Sequence, residues 1–134
     1  MRLPREVMQK RAAHKRTVKK SILEESFKLN FEGRLTRAGF VFREQVKLPP
    51  ARYVYDVYLE HKRTARRIYI EIDGHGFGHS SVASKKRDAE KGNLAIFSGA
   101  EFYRLTTAHF RRGLPTNYAH ELVDRICGKK GREV

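Results

Sequence analysis

Tryptophan is absent from this 134-residue chain, cysteine occurs once, and acids are outnumbered almost two to one, 15 Asp+Glu against 29 Lys+Arg. The lone Cys127 excludes an intramolecular disulfide and any multi-cysteine zinc site, and it fits a reducing compartment, the cytoplasm by default. Long apolar runs are missing as well. Stretches such as Leu94-Ala95-Ile96-Phe97 fall far short of the ~20 residues needed to cross a bilayer. The opening Met1-Arg2-Leu3-Pro4-Arg5 leads into no apolar stretch or small-residue cleavage site, so no secretory signal is expected. With no Trp and no strong apolar face opposing the basic residues, an anionic membrane surface is a poor partner.

What the chain does have is positive charge, formally +14, on a composition that is 40% hydrophobic. A chain of this length buries roughly two thirds of its unfolded surface, so one domain with a core free of disulfides or metal staples is expected. A surplus of this size implies a polyanion, because each phosphate neutralised by Lys or Arg releases condensed counterions. DNA is the expected partner, and the oligomeric state is open, a homodimer included.

Residues 1–20 hold eight basic side chains, Lys15 and Arg16 among them, against the single acid Glu6, which is half of the surplus. This arm reads either as a solvated, fraying helix or as a DNA-backbone contact that orders on binding. Residues 129–134 form a shorter basic tail, which leaves 21–128 as the domain.

Within that domain Leu23, Phe27, Phe31, Leu35 and Ala38 recur every three or four positions, one face of a helix from about Lys19 that ends near Gly39. Three strands follow: Phe40 to Leu48, stopped by Pro49-Pro50; Arg52 to Leu59, with Tyr53, Tyr55, Val57 and Leu59 expected on one face; and Arg67 to Asp73, alternating on Ile68, Ile70 and Ile72. They are expected to form an antiparallel meander. A helix from about Val82 to Ser98, a strand at Glu101–Leu105 and a helix near Asn117–Ile126 complete a mixed α/β (α+β) order: helix, three-stranded meander, helix, strand, helix.

Strand periodicity puts Glu71 and Asp73 on one face, away from the isoleucines, and lets them converge with Asp56 of the neighbouring strand. A carboxylate in a strand built of Tyr and Val costs stability unless it is partnered or binds a cation. Its bland alternative is an ion pair with an arginine of the Arg63–Arg67 turn. Several anionic oxygens on rigid strands suit a hard cation, magnesium rather than zinc. His75 and His79 lack the helical His-Glu-x-x-His frame and a cysteine partner, and the glycine run around them lacks the Gly-Lys-Ser/Thr ending of a nucleotide loop. Lys62, Arg63 and Arg66 at a hairpin tip, and Lys85, Lys86 and Arg87 at a helix start, are either solvated or grip phosphates. Tyr53, Tyr55, Tyr58 and Tyr69 read as packing rather than base-stacking platforms.

Taken in order, Glu24-x-x-Phe27, Arg52-x-x-x-Asp56, Ile70-Glu71-Ile72-Asp73-Gly74, His79, Asp88-x-x-Lys91-x-Asn93, Gly99 and a strand ending in Arg104 resemble small endonucleases of the PD-(D/E)XK superfamily. The likeness is to its phage and prophage branch, similar to the very-short-patch repair endonuclease, over roughly residues 20–110. It implies a restriction-endonuclease-like core that hydrolyses DNA phosphodiesters with Mg²⁺ or Mn²⁺, encoded by a phage or serving DNA repair or recombination. Asp56 and Glu71 would hold the metal, and a Glu of the first helix would complete its shell or position its water. Such an ion neutralises the phosphate and lowers the pKa of its bound water. A structure-selective junction resolvase or mismatch nickase is the alternative within this class. A non-catalytic nucleic-acid-binding protein is the alternative outside it.

Two departures from the superfamily pattern stand out. Where the superfamily carries a lysine two residues after the strand acid, this chain has Asp73; His79 or Lys91 then supplies that function as in the branch, or Asp73 binds or orients metal. Counted back from Gly39, the helical acid would fall near Lys28, with Glu24 and Glu32 one turn to either side. Glu24 is favoured because Phe27 and Phe31 follow it at family-like gaps, with Glu25 and Glu32 left open.

Overall fold

The spacing of Leu23, Phe27, Phe31 and Leu35 does what it predicts: these residues line one side of α1 (Ile22–Arg37), and the last three are fully buried. The structure, a computed structural model, describes residues 22–49, 53–73 and 82–128. Helix α1 ends at Gly39, whose φ of +102° suits glycine and turns the chain into β1 (Phe40–Lys47). Antiparallel pairing carries it through β2 (Val54–His61) and β3 (Arg67–Asp73). The crossover helix α2 (Val82–Phe97) then returns it to β4 (Glu101–Thr106), which pairs parallel to β3. The sheet order is therefore β1-β2-β3-β4, a mixed four-stranded sheet. A 3₁₀ turn (Thr107–His109) and a two-stranded hairpin, β5 (Phe110–Arg111) with β6 (Leu114–Pro115), precede α3 (Asn117–Ile126).

The sheet is packed on both faces. On one, α1 and α3 cover Val57, Leu59, Ile68, Ile70, Ile72 and Leu105 with Phe27, Phe31, Leu35, Ala119, Val123 and Ile126. On the other, α2 brings Leu94 and Ala95 against Tyr55, Tyr69 and Phe102. Gly92 makes that second contact close, since a Cβ there would stand 3.0 Å from two carbons of the Phe102 ring. A glycine inside a helix costs about 1 kcal/mol against alanine, and here it lets α2 lie near the sheet.

The expected order of elements is present, with the β5–β6 hairpin added. One expectation needs correction. Tyr53 and Tyr55 do not share a face with Val57 and Leu59: the tyrosines belong to the α2 side and the aliphatic pair to the α1 side. The alternation breaks at Asp56, where β2 leaves its ladder with β3 after the pair Val57–Ile70. The opposing residue on β1, Gln45, has a left-handed φ of 54° and falls between the pairs Glu44–Val57 and Val46–Tyr55. Tyr55 and Tyr69 are buried, their rings 4.6 Å apart, as packing residues should be. The basic arm of residues 1–20, including Lys15 and Arg16, the loop with His75 and His79, and the tail 129–134 lie outside the described residues. Among the described residues no helix is long and apolar enough to cross a membrane.

Candidate functional site

Where β2 parts from β3, a backbone N–H of β3 would be left without its ladder partner, and the Asp56 carboxylate takes its place. Its Oδ2 accepts the Ile72 N–H at 2.7 Å. The Asp56 N–H in turn points at Glu71 Oε1, at 3.4 Å. The fork thus draws two acids of adjacent strands together. From α1, Glu24 reaches the same place with only 8% of its surface exposed, and the Gln45 amide bridges it to Asp56: Nε2 donates to Glu24 Oε2 at 3.2 Å and to Asp56 Oδ1 at 3.4 Å. From α2, Lys91 ion-pairs with Glu71 Oε2. Its ammonium lies 5.1 Å from the centre of the Tyr55 ring, and the Tyr55 hydroxyl donates to the Lys91 backbone carbonyl at 2.7 Å. One buried tyrosine therefore fixes both ends of this lysine. Burial pushes that hydroxyl's own pKa up to about 12, so it remains a donor.

The electrostatics follow from crowding acids in a half-dry site. Burial, then the neighbouring Asp56 charge, pushes the Glu71 carboxyl up to about 7, with Lys91 pulling the other way. Burial likewise raises Asp56, opposed by its hydrogen bonds with Glu71 and Ile72 and helped by the charge of Glu24. Glu24 is also raised, by burial and by Glu44 and Glu71. Carboxyl groups pushed upward in this way bind protons more readily folded than unfolded; the contribution of Glu71 to stability is therefore full below about pH 4.5 and is lost as pH rises through about 7. In EDTA the folded state should accordingly weaken by on the order of 3 kcal/mol between pH 5 and 8, counted from Glu71 alone. Urea unfolding across that range measures it. Asp56→Asn should flatten the slope, and a wild-type profile no steeper than that of the variant would contradict the assignment.

The sequence-derived residues fall out unevenly. Glu24, Asp56, Glu71 and Lys91 are brought together. Glu25 is exposed, and both Glu25 and Glu32 act on Lys28 instead. Asp73 is half-buried at the last position of β3, opposite Thr106 of β4. His79 lies outside the described residues. Asp88 lies 3.9 Å from the Arg104 guanidinium rather than pairing with Lys91. Lys62 and Arg63 are exposed in the β2–β3 turn, and Lys85, Lys86 and Arg87 are exposed on the first turns of α2. Arg66 has other work: its guanidinium makes a bidentate pair with Glu101, at 2.7 Å for the Nη2 to Oε1 bond, and donates to the Ile126 carbonyl. It ties the hairpin tip to β4 and α3.

Sequence reasoning missed Gln45 and the hydroxyl role of Tyr55. The polar run Arg43-Glu44-Gln45 does break the alternation of β1, but nothing in it singles out the amide. Compared with protein-family models, curated proteins and solved structures, the chain matches none.

Among the described residues no group of three His, Cys, Asp or Glu side chains stands in ready-made metal geometry. The donors nevertheless have the right chemistry. They are hard carboxylate oxygens carried by two strands and a helix; burial first, and then the charge of neighbouring acids, raises their pKa values, with Lys91 opposing this at Glu71. A cation beside Asp56 and Glu71 would relieve the repulsion between those charges.

Proposed function

We propose that the protein is a divalent-metal-dependent DNA endonuclease with a restriction-endonuclease-like core. The observation that carries this reading is the convergence of Glu24, Asp56, Glu71 and Lys91, from four different elements, at the fork between β2 and β3. Asp56 and Glu71 are the residues that would hold Mg²⁺ or Mn²⁺, with Glu24 completing the set. The ion would neutralise a phosphate oxygen and lower the pKa of a bound water. Lys91, anchored by Tyr55 and paired with Glu71, would supply the function of the superfamily lysine that Asp73 replaces in this chain, its ammonium stabilising charge developing on the phosphate. The exposed Lys62, Arg63, Lys85, Lys86 and Arg87 would hold the DNA backbone.

The deciding experiment exposes supercoiled, linear, mismatched and branched DNA to the full chain with Mg²⁺ or Mn²⁺, and again in EDTA. Cleavage that needs the metal supports an endonuclease, and the preferred substrate separates a general nuclease from a junction resolvase or mismatch nickase. DNA binding with no cut on any substrate would replace this reading by that of a binding protein.

Affinity should fall steeply with salt. Removing residues 1–16, which carry six basic side chains including Lys15 and Arg16, should lower the slope of log K against log[salt] by up to ~5 if all six meet phosphate. A fluorescence-anisotropy titration at several salt concentrations reads it, and an unchanged slope would mean that the arm does not touch DNA.

A further inference from the structure

Among the described residues three non-glycine positions have a left-handed φ, and Gln45 is the one that lies inside the main sheet, at 54°. An L residue meets steric cost in that region and glycine does not. The side chain aimed by this backbone is exposed to solvent, yet its amide nitrogen donates to two carboxylates. Those carboxylates come from different elements, Glu24 from α1 and Asp56 from β2, and each bears the like charge of the other. A neutral amide set between them supplies a hydrogen to each side without adding charge.

We infer that Gln45 is a positioning residue, which holds Glu24 and Asp56 at the spacing from which they accept a hard divalent cation. The inference rests on the endonuclease reading and adds to it a residue of neither the acid set nor the basic set. Gln45 takes up this left-handed backbone between the flanking β1–β2 pairs, and from there its amide reaches both carboxylates.

The test measures Mn²⁺ affinity by calorimetry and thermal unfolding, in EDTA and in Mn²⁺, for the wild type, Gln45→Gly, Gln45→Ala and Asp56→Asn. Gln45→Gly should unfold at or above the wild-type temperature in EDTA, because glycine suits the backbone, yet bind Mn²⁺ about tenfold or more weakly and gain less from it on heating. A purely structural role would produce the opposite, lost stability with unchanged affinity. Gln45→Ala keeps the backbone cost while removing the amide, so it should match the glycine variant in affinity and fall below it in stability. If Gln45→Gly and Gln45→Ala bind Mn²⁺ as tightly as the wild type while Asp56→Asn does not, the role of Gln45 is refuted and the metal site stands. A wild type that binds no Mn²⁺ refutes both.

Discussion

Asp56→Asn should abolish metal-dependent DNA cleavage while leaving the fold intact and DNA affinity equal or tighter. The isosteric amide can still accept the Ile72 N–H through its oxygen, so the fork between β2 and β3 keeps its substitute for the missing ladder bond. Towards Gln45 the substitution sets two amides face to face, which a turn of the Gln45 amide accommodates. What is lost is the anionic oxygen that a cation needs. Metal stabilisation of transition-state charge is worth several kcal/mol, and each 1.36 kcal/mol is tenfold in rate, so the loss should be at least about 10³-fold. Removing a negative charge that faces the phosphate accounts for the equal or tighter binding. Gel assays of nicking beside anisotropy measurements with the same DNA check both halves. Cleavage at the wild-type rate would end the catalytic reading. Asp56→Ala is the wrong probe, since it would leave the Ile72 N–H unpaired and mix architecture with chemistry.

Lys91→Ala should depress cleavage by about 10²–10⁴-fold with little change in DNA affinity. The lysine touches the acid cluster rather than the exposed basic face: it pairs with Glu71 and lies against Tyr55, away from Lys85, Lys86 and Arg87. Its removal also takes away a neighbour that lowers the Glu71 pKa, so the Glu71 carboxyl should titrate above about 7. Residual cleavage should then rise with pH over a range displaced to higher values than in the wild type. Single-turnover rates across pH 6–9 would show the displacement. Equal losses of affinity and rate would mark Lys91 as a phosphate grip instead.

Most of this fold could be read from the chain because its periodicities are undisturbed. The three-and-four spacing of Phe27, Phe31 and Leu35 and the strict alternation of Ile68, Ile70 and Ile72 each answer to a single buried face. The reading failed where one strand changes its allegiance. Tyr55 and Val57 are both apolar and two apart, so sequence assigns them one face. The turn at Asp56 sends them to opposite sides of the sheet, and only the three-dimensional fork reveals it. The candidate site divides along the same line. Asp56 and Glu71 stand out as acids among apolar strand residues, and Lys91 enters only through the resemblance to the endonuclease family. Gln45 is an ordinary polar residue of an edge strand until its φ and its two hydrogen bonds are seen. Arg66 is equally opaque, because nothing local to the hairpin tip points to its partner Glu101, 35 positions away.

The bond from Ile72 to the Asp56 carboxylate makes one amide of the sheet a spectroscopic gauge of the acid cluster. That N–H is held by a side-chain oxygen, whereas its neighbours in the β3 ladders are held by backbone carbonyls. Anything that draws electron density from the carboxylate, a proton or a cation alike, weakens the acceptor and moves the proton resonance of Ile72 upfield. In a ¹⁵N-labelled sample, that single cross-peak reports occupancy at the fork without substrate, cleavage or a mutation.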